Sequence, residues 1–295
     1  MISVVIPVHN RLQFTVACLD SLRDQISRDF RTVVVDDGST DGTAEVLATD
    51  YPEVTVLACD GQLWWTGATN AGVRMALGDA DDDDFILTLN NDTVVPPAHL
   101  AQLVTAARQE PDALIGSLIV SDIDGGTIVD GGVLVAWFTA KYRTQNEGSD
   151  YRSLDPAVPR LLPADVLSGC GTLIPARLFR RVGLYDERRL PHYAADYELS
   201  RRAARAGYKL LVCYDAPLLR RAAATGTHAL VGTLGLRDFG RTFWSRRSAN
   251  SLFFRLRYAR LACPRAALPT YVACDAARVL YGSVRRRARA RSSGA

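Results

Sequence analysis

The sequence predicts an α/β protein built on a mostly parallel sheet flanked by helices. Three observations point there. Short β-branched runs alternate with amphipathic stretches from residue 2 to about residue 107. The runs are apolar nearly throughout, as strands covered on both faces are. Each stops abruptly at a polar cluster: His9-Asn10-Arg11, Asp36-Asp37-Gly38-Ser39 and Asn90-Asn91-Asp92. In sheets of this kind ligands lie beyond the carboxyl ends of the strands, where these clusters fall.

Taken in order, Ile2-Ser3-Val4-Val5-Ile6 is a strand closed by Pro7, and Val16, Leu19, Leu22 and Ile26 follow at helical spacing. Thr32-Val33-Val34-Val35 is the second strand, followed by a short helix over 43–48 and a third strand over 54–57. Trp64-Trp65-Thr66-Gly67-Ala68-Thr69-Asn70 reads as a loop leading into a helix over 70–77. Phe85-Ile86-Leu87-Thr88-Leu89 is the fourth strand, and Pro96-Pro97 opens a helix over 100–107. Beyond Ile115 the pattern loosens into short strands and turns at Gly125-Gly126 and Gly131-Gly132. It tightens again in a strand over 167–174 interrupted by Gly169 and Gly171, helices over 176–182 and 196–206, and a strand over 209–213.

At 295 residues the chain can bury a large core, and 48% hydrophobic with 23% charged residues is ordinary for a globular protein. A net charge of +3 conceals an asymmetry, since acids gather before Asp92 and arginines after Arg237. No apolar run reaches the roughly eighteen residues of a spanning helix, and Met1 leads straight into a strand rather than a signal peptide. Six cysteines lack any ligand spacing, so they read as small core residues in a reducing cytoplasm. The tail interleaves Phe239, Phe243, Trp244, Phe253, Phe254 and Tyr258 with arginines and ends in Arg285-Arg286-Arg287-Ala288-Arg289-Ala290-Arg291. It suits an anionic membrane surface or helical packing on the rest of the chain, and nucleic acid is not expected.

The glycine-rich loops that bind phosphates through backbone alone are absent, so a nucleoside diphosphate would need a divalent cation with oxygen ligands, for which Asp92 is the candidate carboxylate. Three blocks now share one order: residues 33–43 around Asp36-Asp37-Gly38-Ser39, Leu89-Asn90-Asn91-Asp92, and Tyr193-Ala194-Ala195-Asp196-Tyr197-Glu198-Leu199-Ser200. Together they resemble the signature blocks of family 2 glycosyltransferases with the GT-A fold, and the resemblance spans residues 2 to 215.

That resemblance implies an inverting transferase, rhamnosyltransferase-like, acting from a UDP-, dTDP- or GDP-linked sugar onto a glycan or lipid-linked acceptor. It implies a GT-A catalytic domain over 1–220, with a nucleotide-binding half over 1–110 and an acceptor-binding half over 111–220. A helical basic extension would occupy 221–295. Asp37 and Gly38 would meet the nucleotide base, with Pro7 and Val8 closing over it. Asp92 would hold Mn2+ or Mg2+ with Asn91 beside it and His228 as a second ligand. Asn90 stands where the family more often has an acid.

Asp196 would be the general base, kept ionised by its place at a helix N-terminus. Ala195 and Glu198 depart from the family's acidic pattern around it. Trp64 and Trp65 would divide between core packing and a wall for the donor sugar, with Asn70 and Gly169 nearby. Taken alone, Asp36-Asp37-Gly38-Ser39 and Asn90-Asn91-Asp92 are equally turns. A sugar-phosphate nucleotidyltransferase, or a non-catalytic nucleotide-sugar or nucleic-acid binding protein, is the alternative.

Overall fold

A computed structural model describes residues 1–155, 157–221, 243–245, 248 and 250–292. The first half is a run of parallel strands with crossover helices. Strand β1 (Ile2–Val8), α1 (Leu12–Arg23), β2 (Phe30–Asp37), α2 (Thr43–Asp50), β3 (Thr55–Cys59), α3 (Trp64–Asp79), β4 (Phe85–Thr88), β5 (Thr93–Val94) and α4 (His99–Gln109) follow in order. β1 pairs in parallel with both β2 and β4, and β2 with β3. The chain therefore fills the sheet on one side of β1 and then recrosses to the other. The crevice between β1 and β4 is the switch point at which such sheets take ligands.

The second half adds β6 (Ala113–Ser121), β7 (Ile128–Asp130), the hairpin of β8 (Val133–Ala136) and β9 (Lys141–Thr144), β10 (Leu161–Pro163) and β11 (Thr172–Pro175). Then come α5 (Ala176–Val182), α6 (Ala195–Arg205), β12 (Lys209–Arg220), α7 (Leu252–Ala262) and α8 (Leu268–Ser292). The main sheet runs β10-β12-β6-β11-β4-β1-β2-β3. β11 is antiparallel to β4 and β6, so the sheet is mixed in this half. The expected strand over 167–174 shortens to its last residues, because 167–171 is a loop turned aside to carry Gly169.

Two apolar layers cover the sheet. One packs Cys18, Leu19 and Leu22 of α1, Leu47 of α2 and Leu100 and Leu103 of α4 against the strands. The other packs Val73 of α3, Phe179 of α5 and Leu199 of α6, and continues into Tyr258, Ala262 and Tyr271 of the last two helices. Ile26, expected on the buried stripe of the first helix, lies past its end and is 70% exposed. Residues 80–84 are a loop after α3, and Asp79, Asp82 and Asp83 pair with Arg31, Arg180 and Arg177, and Asp84 with the N-terminal amine. All six cysteines are free thiols.

Helix α3 begins at Trp64, six residues before the start expected from Asn70. The reason is a cap that local sequence cannot show. The residue at the helix entrance, Leu63, has no capping side chain. The carboxylate of Asp37, at the end of β2, takes its place. Its Oδ1 accepts from the backbone N–H of Gly61 at 3.0 Å, and its Oδ2 from Leu63 and Trp64, each at 3.0 Å. An anion on the first turn satisfies donors that would otherwise be unpaired.

Candidate active site

A cleft of ≈ 590 Å³ opens at the carboxyl ends of β1, β2 and β4, lined by Pro7, Val8, Asp37, Trp64, Trp65, Asn91 and His192 among others. A hollow of similar volume, ≈ 600 Å³, lies around Met1, Phe85 and Arg177, at the opposite strand ends and away from every chemically distinctive residue.

One rim of the cleft is two loops latched together. Asn10 donates its N–H to Ser39 Oγ at 2.8 Å and accepts at Oδ1 from Thr40 N–H at 2.9 Å. Asp41 accepts from the N–H of Leu12 at 2.8 Å, and Thr43 Oγ1 donates to it at 2.6 Å, so one carboxylate serves the starts of α1 and α2. These bonds hold its carboxyl below the usual range. The two acids after β2 divide their work. Asp36 closes the turn by accepting from Ser39 N–H at 2.9 Å, whereas Asp37 caps α3. Gly38 sits at φ +73°, and a Cβ there would meet Gly61 Cα at 2.9 Å, so the position excludes any side chain.

Trp65 joins the cleft to the region of Asp196. Its Nε1–H donates to Asn90 Oδ1 at 2.9 Å, which occupies the amide carbonyl standing next to the Asn91-Asp92 pair. The far edge of its indole lies on Gly169, where an added Cβ would approach Trp65 Cη2 to 2.4 Å and Asp196 Cβ to 3.2 Å. Gly169 N–H donates to Asp196 Oδ2 at 2.8 Å, and Tyr197 N–H to Oδ1 at 2.9 Å. The bare backbone at 169 therefore allows the indole and the carboxylate to be neighbours.

Asp196 stands at the start of α6, as the sequence suggests, but its ionisation follows burial rather than the helix dipole. Desolvation raises its carboxyl above the ordinary aspartate range, and the two N–H bonds offset this only in part. The expected lowering is thus reversed. Asp130, at the end of β7, is within electrostatic reach of Asp196 and Arg220, and burial raises it as well. In sequence its only signal is a Val-Asp-Gly-Gly turn.

Asp92 is 6% exposed, and its Oδ1 is buried without a hydrogen-bond partner. Burial raises its carboxyl, opposed by the charges of Arg220 and Arg11. A solvent-excluded, unpaired carboxylate oxygen one residue from the cleft-lining Asn91 fits a divalent cation, which would supply the missing positive charge. Among the described residues no three His, Cys, Asp or Glu side chains converge. Asn91 donates to Thr15 Oγ1 at 3.0 Å. His228 lies outside the described residues.

One expected site residue, Asn70, and one acid of the third sequence block, Glu198, have structural work. Asn70, 1% exposed, donates to Tyr185 O at 2.9 Å and Glu187 Oε2 at 2.7 Å and accepts from Tyr185 N–H, so its amide clamps the 185–187 loop. Glu198, 4% exposed, pairs bidentately with Arg202, which also caps the carbonyls of Val182 and Leu184. Trp64 stays at the cleft, edge-on to His192 with ring centres 5.7 Å apart. Burial holds His192 below the ordinary histidine range, so its imidazole is neutral at pH 7.

The fold and this cleft define a GT-A type glycosyltransferase. In overall structure the chain is similar to GalNAc-T7 crystallised with UDP, GalNAc and Mn2+ (TM-score 0.61, 16% identity, 95% of this chain and 56% of that one). It is also similar to the mannosyltransferase PcManGT of Pyrobaculum calidifontis in complex with GDP-Man and Mn2+ (TM-score 0.59, 17% identity, 99% and 73%). In sequence, residues 3–158 match the model of Glycosyl transferase family 2, and residues 85–287 that of Glycosyl transferase family group 2. The chain belongs to glycosyltransferase family 2. It is similar to the N-acetylglucosaminyl-diphospho-decaprenol L-rhamnosyltransferase of Mycobacterium tuberculosis, with 27% identity over 224 residues, 70% of this chain and 72% of that one. Over a shorter stretch of 121 residues, 39% of this chain and 36% of the other, it is 31% identical to the undecaprenyl-phosphate 4-deoxy-4-formamido-L-arabinose transferase of Aeromonas hydrophila.

Proposed function

We propose that the protein is an inverting glycosyltransferase that moves a sugar, rhamnosyl in type, from a nucleoside-diphosphate donor to a hydroxyl of a lipid-linked glycan. The observation that carries this is the link Asn90–Trp65–Gly169–Asp196, which ties the donor cleft to a carboxylate with a raised pKa. In this reading residues 1–110 hold the nucleotide, 111–220 receive the acceptor, and 221–295 form a basic extension. Pro7, Val8 and the backbone fixed by Asp37 and Gly38 surround the base, and Trp64 and Trp65 wall the donor sugar.

Asp196 accepts the acceptor hydroxyl's proton as that oxygen bonds to the anomeric carbon and the bond to the nucleoside diphosphate breaks. A single displacement inverts that carbon. The Gly169 and Tyr197 N–H groups hold the carboxylate in one orientation. Asp92, with His228, would hold a divalent cation, Mn2+ or Mg2+, which would supply charge compensation for the diphosphate leaving group.

Contact with the inner face of the cell membrane is supported by α8. Its Tyr271, Asp275, Val279 and Ser283 face inward, whereas Leu280, Tyr281 and Val284 are exposed beside Arg285. Among the described residues no helix is long and apolar enough to cross a membrane.

A thermal-shift series with UDP-, dTDP- and GDP-sugars, with and without Mn2+, tests donor binding, and NMR of the product tests the anomeric outcome. Asp196→Asn should keep the donor shift and lose transfer. Transfer at the wild-type rate in that variant refutes the mechanism.

A further inference from the structure

At the start of α6 the chain passes from the donor cleft to a second cavity. His192 lines the cleft, whereas Tyr193, Ala194 and Tyr197 line a separate chamber of ≈ 310 Å³ roofed by α7 and α8. Asp196 lies between them in sequence, and its charge is felt by both Tyr197 and Tyr258 of the chamber.

Three features of the chamber bear on what it holds. Its walls are aromatic: Tyr142 and Tyr197 stack at 6.0 Å with an interplanar angle of 16°, and the Tyr142 hydroxyl meets that of Tyr271 at 2.6 Å. Aromatic faces suit the CH-bearing face of a sugar ring. It also contains unmet hydrogen-bonding capacity. Ser251 is 1% exposed and Tyr258 4%, both line the chamber, and neither Ser251 Oγ nor Tyr258 Oη has a hydrogen-bond partner. The Tyr258 hydroxyl lies beside that of Tyr142, close enough for each to perturb the other's ionisation. Buried hydroxyls left unpaired are costly, and a polyhydroxyl ligand supplies what they lack.

Its charge, finally, is balanced. Among the described lining residues Arg255 is matched by Asp275, 4% exposed, with Nε to Oδ2 at 2.7 Å. A paired guanidinium leaves no excess positive charge for a phosphate, so the chamber favours a neutral ligand.

We propose that this chamber seats a neutral sugar ring of the acceptor and thereby presents the reacting hydroxyl to Asp196. The proposal rests on the reading of Asp196 as general base and names a substrate feature that the donor cleft does not specify. Acceptor selectivity then lies in residues drawn from β9, α6, α7 and α8, a combination that assembles only when the two C-terminal helices dock.

The test uses the full chain without nucleotide and a panel of neutral methyl glycosides, with binding read by saturation-transfer NMR. At least one glycoside should bind. Ser251→Ala and Tyr258→Phe should each weaken it about three- to tenfold, as expected for loss of one hydrogen bond. Thr144→Trp, which fills the chamber from β9, should abolish binding while the protein remains folded by circular dichroism. All three variants should keep the wild-type thermal shift with the nucleotide sugar. If no glycoside binds, or if binding survives Thr144→Trp, the chamber is not a sugar site, whether or not nucleotide sugars bind. Glycoside binding lost in Thr144→Trp, in a protein that no nucleotide sugar stabilises, overturns the donor reading and leaves the chamber as a saccharide site.

Discussion

Gly169→Ala is the smallest change that separates the elements of the site. The added methyl carbon would sit 2.4 Å from Trp65 Cη2, 2.5 Å from Cζ2 and 3.2 Å from Asp196 Cβ. Gly169 is not among the positive-φ glycines, so alanine is compatible with its backbone and the conflict is steric alone. Relief requires the indole to withdraw, which breaks its 2.9 Å bond to Asn90, or the 169 backbone to withdraw, which breaks its 2.8 Å bond to Asp196. Overpacking of this kind costs about 1–3 kcal/mol, enough to lower Tm by several degrees.

The catalytic effect should be larger, because displacing a catalytic group by about 1 Å can cost roughly a hundredfold in rate. Steady-state kinetics should therefore show kcat lowered about a hundredfold with donor KM nearly unchanged. Trp65→Phe removes the atoms that collide, so the double variant should recover part of the loss, a coupling that a double-mutant cycle measures directly. Wild-type kcat in Gly169→Ala, or strict additivity with Trp65→Phe, would refute the argument that this glycine is where indole and carboxylate meet.

Four further outcomes are expected. Asp92→Asn should abolish the Mn2+-dependent part of the nucleotide-induced thermal shift without lowering Tm in chelator; a variant that still responds to Mn2+ counts against Asp92 as ligand. The acid limb of kcat/KM should lie above the ordinary aspartate value of about 3.9, since Asp196 must be ionised to act and burial raises its carboxyl. By linkage the folded state binds the extra proton, so the Asp196 contribution to stability should fall as pH climbs from that value through the raised one, and Asp196→Asn should remove that slope from denaturation curves. Glu198→Ala leaves Arg202 unmatched at a largely buried site and should cost about 3 kcal/mol in urea unfolding; a change within error would show the pair to be dispensable. Replacing Leu280, Tyr281 and Val284 by serine should weaken sedimentation with anionic phosphatidylglycerol vesicles while transfer to a soluble acceptor persists; unchanged sedimentation rules out this face as the contact.

The parts of the site legible in sequence are those whose chemistry is contiguous. The strand-to-acid transitions at Asp36-Asp37 and at Asn90-Asn91-Asp92 each occupy a few adjacent residues, and Asp196 sits where a helix begins. What escaped sequence reasoning joins distant segments. Asp37 caps a helix that starts 27 residues later, which is why Trp64 and Trp65 read as loop residues. The Asn70 amide is spent on Tyr185, 115 residues away, a partner that no local pattern announces. The direction of the Asp196 shift is hidden from sequence because a helix dipole is visible there and desolvation by packed neighbours is not.

By itself the sequence determined the alternating architecture, the sheet edge at which the polar clusters gather, and the order of the three acidic blocks. These follow from local periodicity and from side-chain polarity at strand ends. The tertiary structure alone decided that β11 runs antiparallel, that Gly169 brings Trp65 and Asp196 together, and that tyrosines from four separate elements line one chamber. Each of these depends on contacts between segments tens of residues apart. Such contacts form only when burial of both faces of the sheet brings the segments together, and no local pattern encodes them.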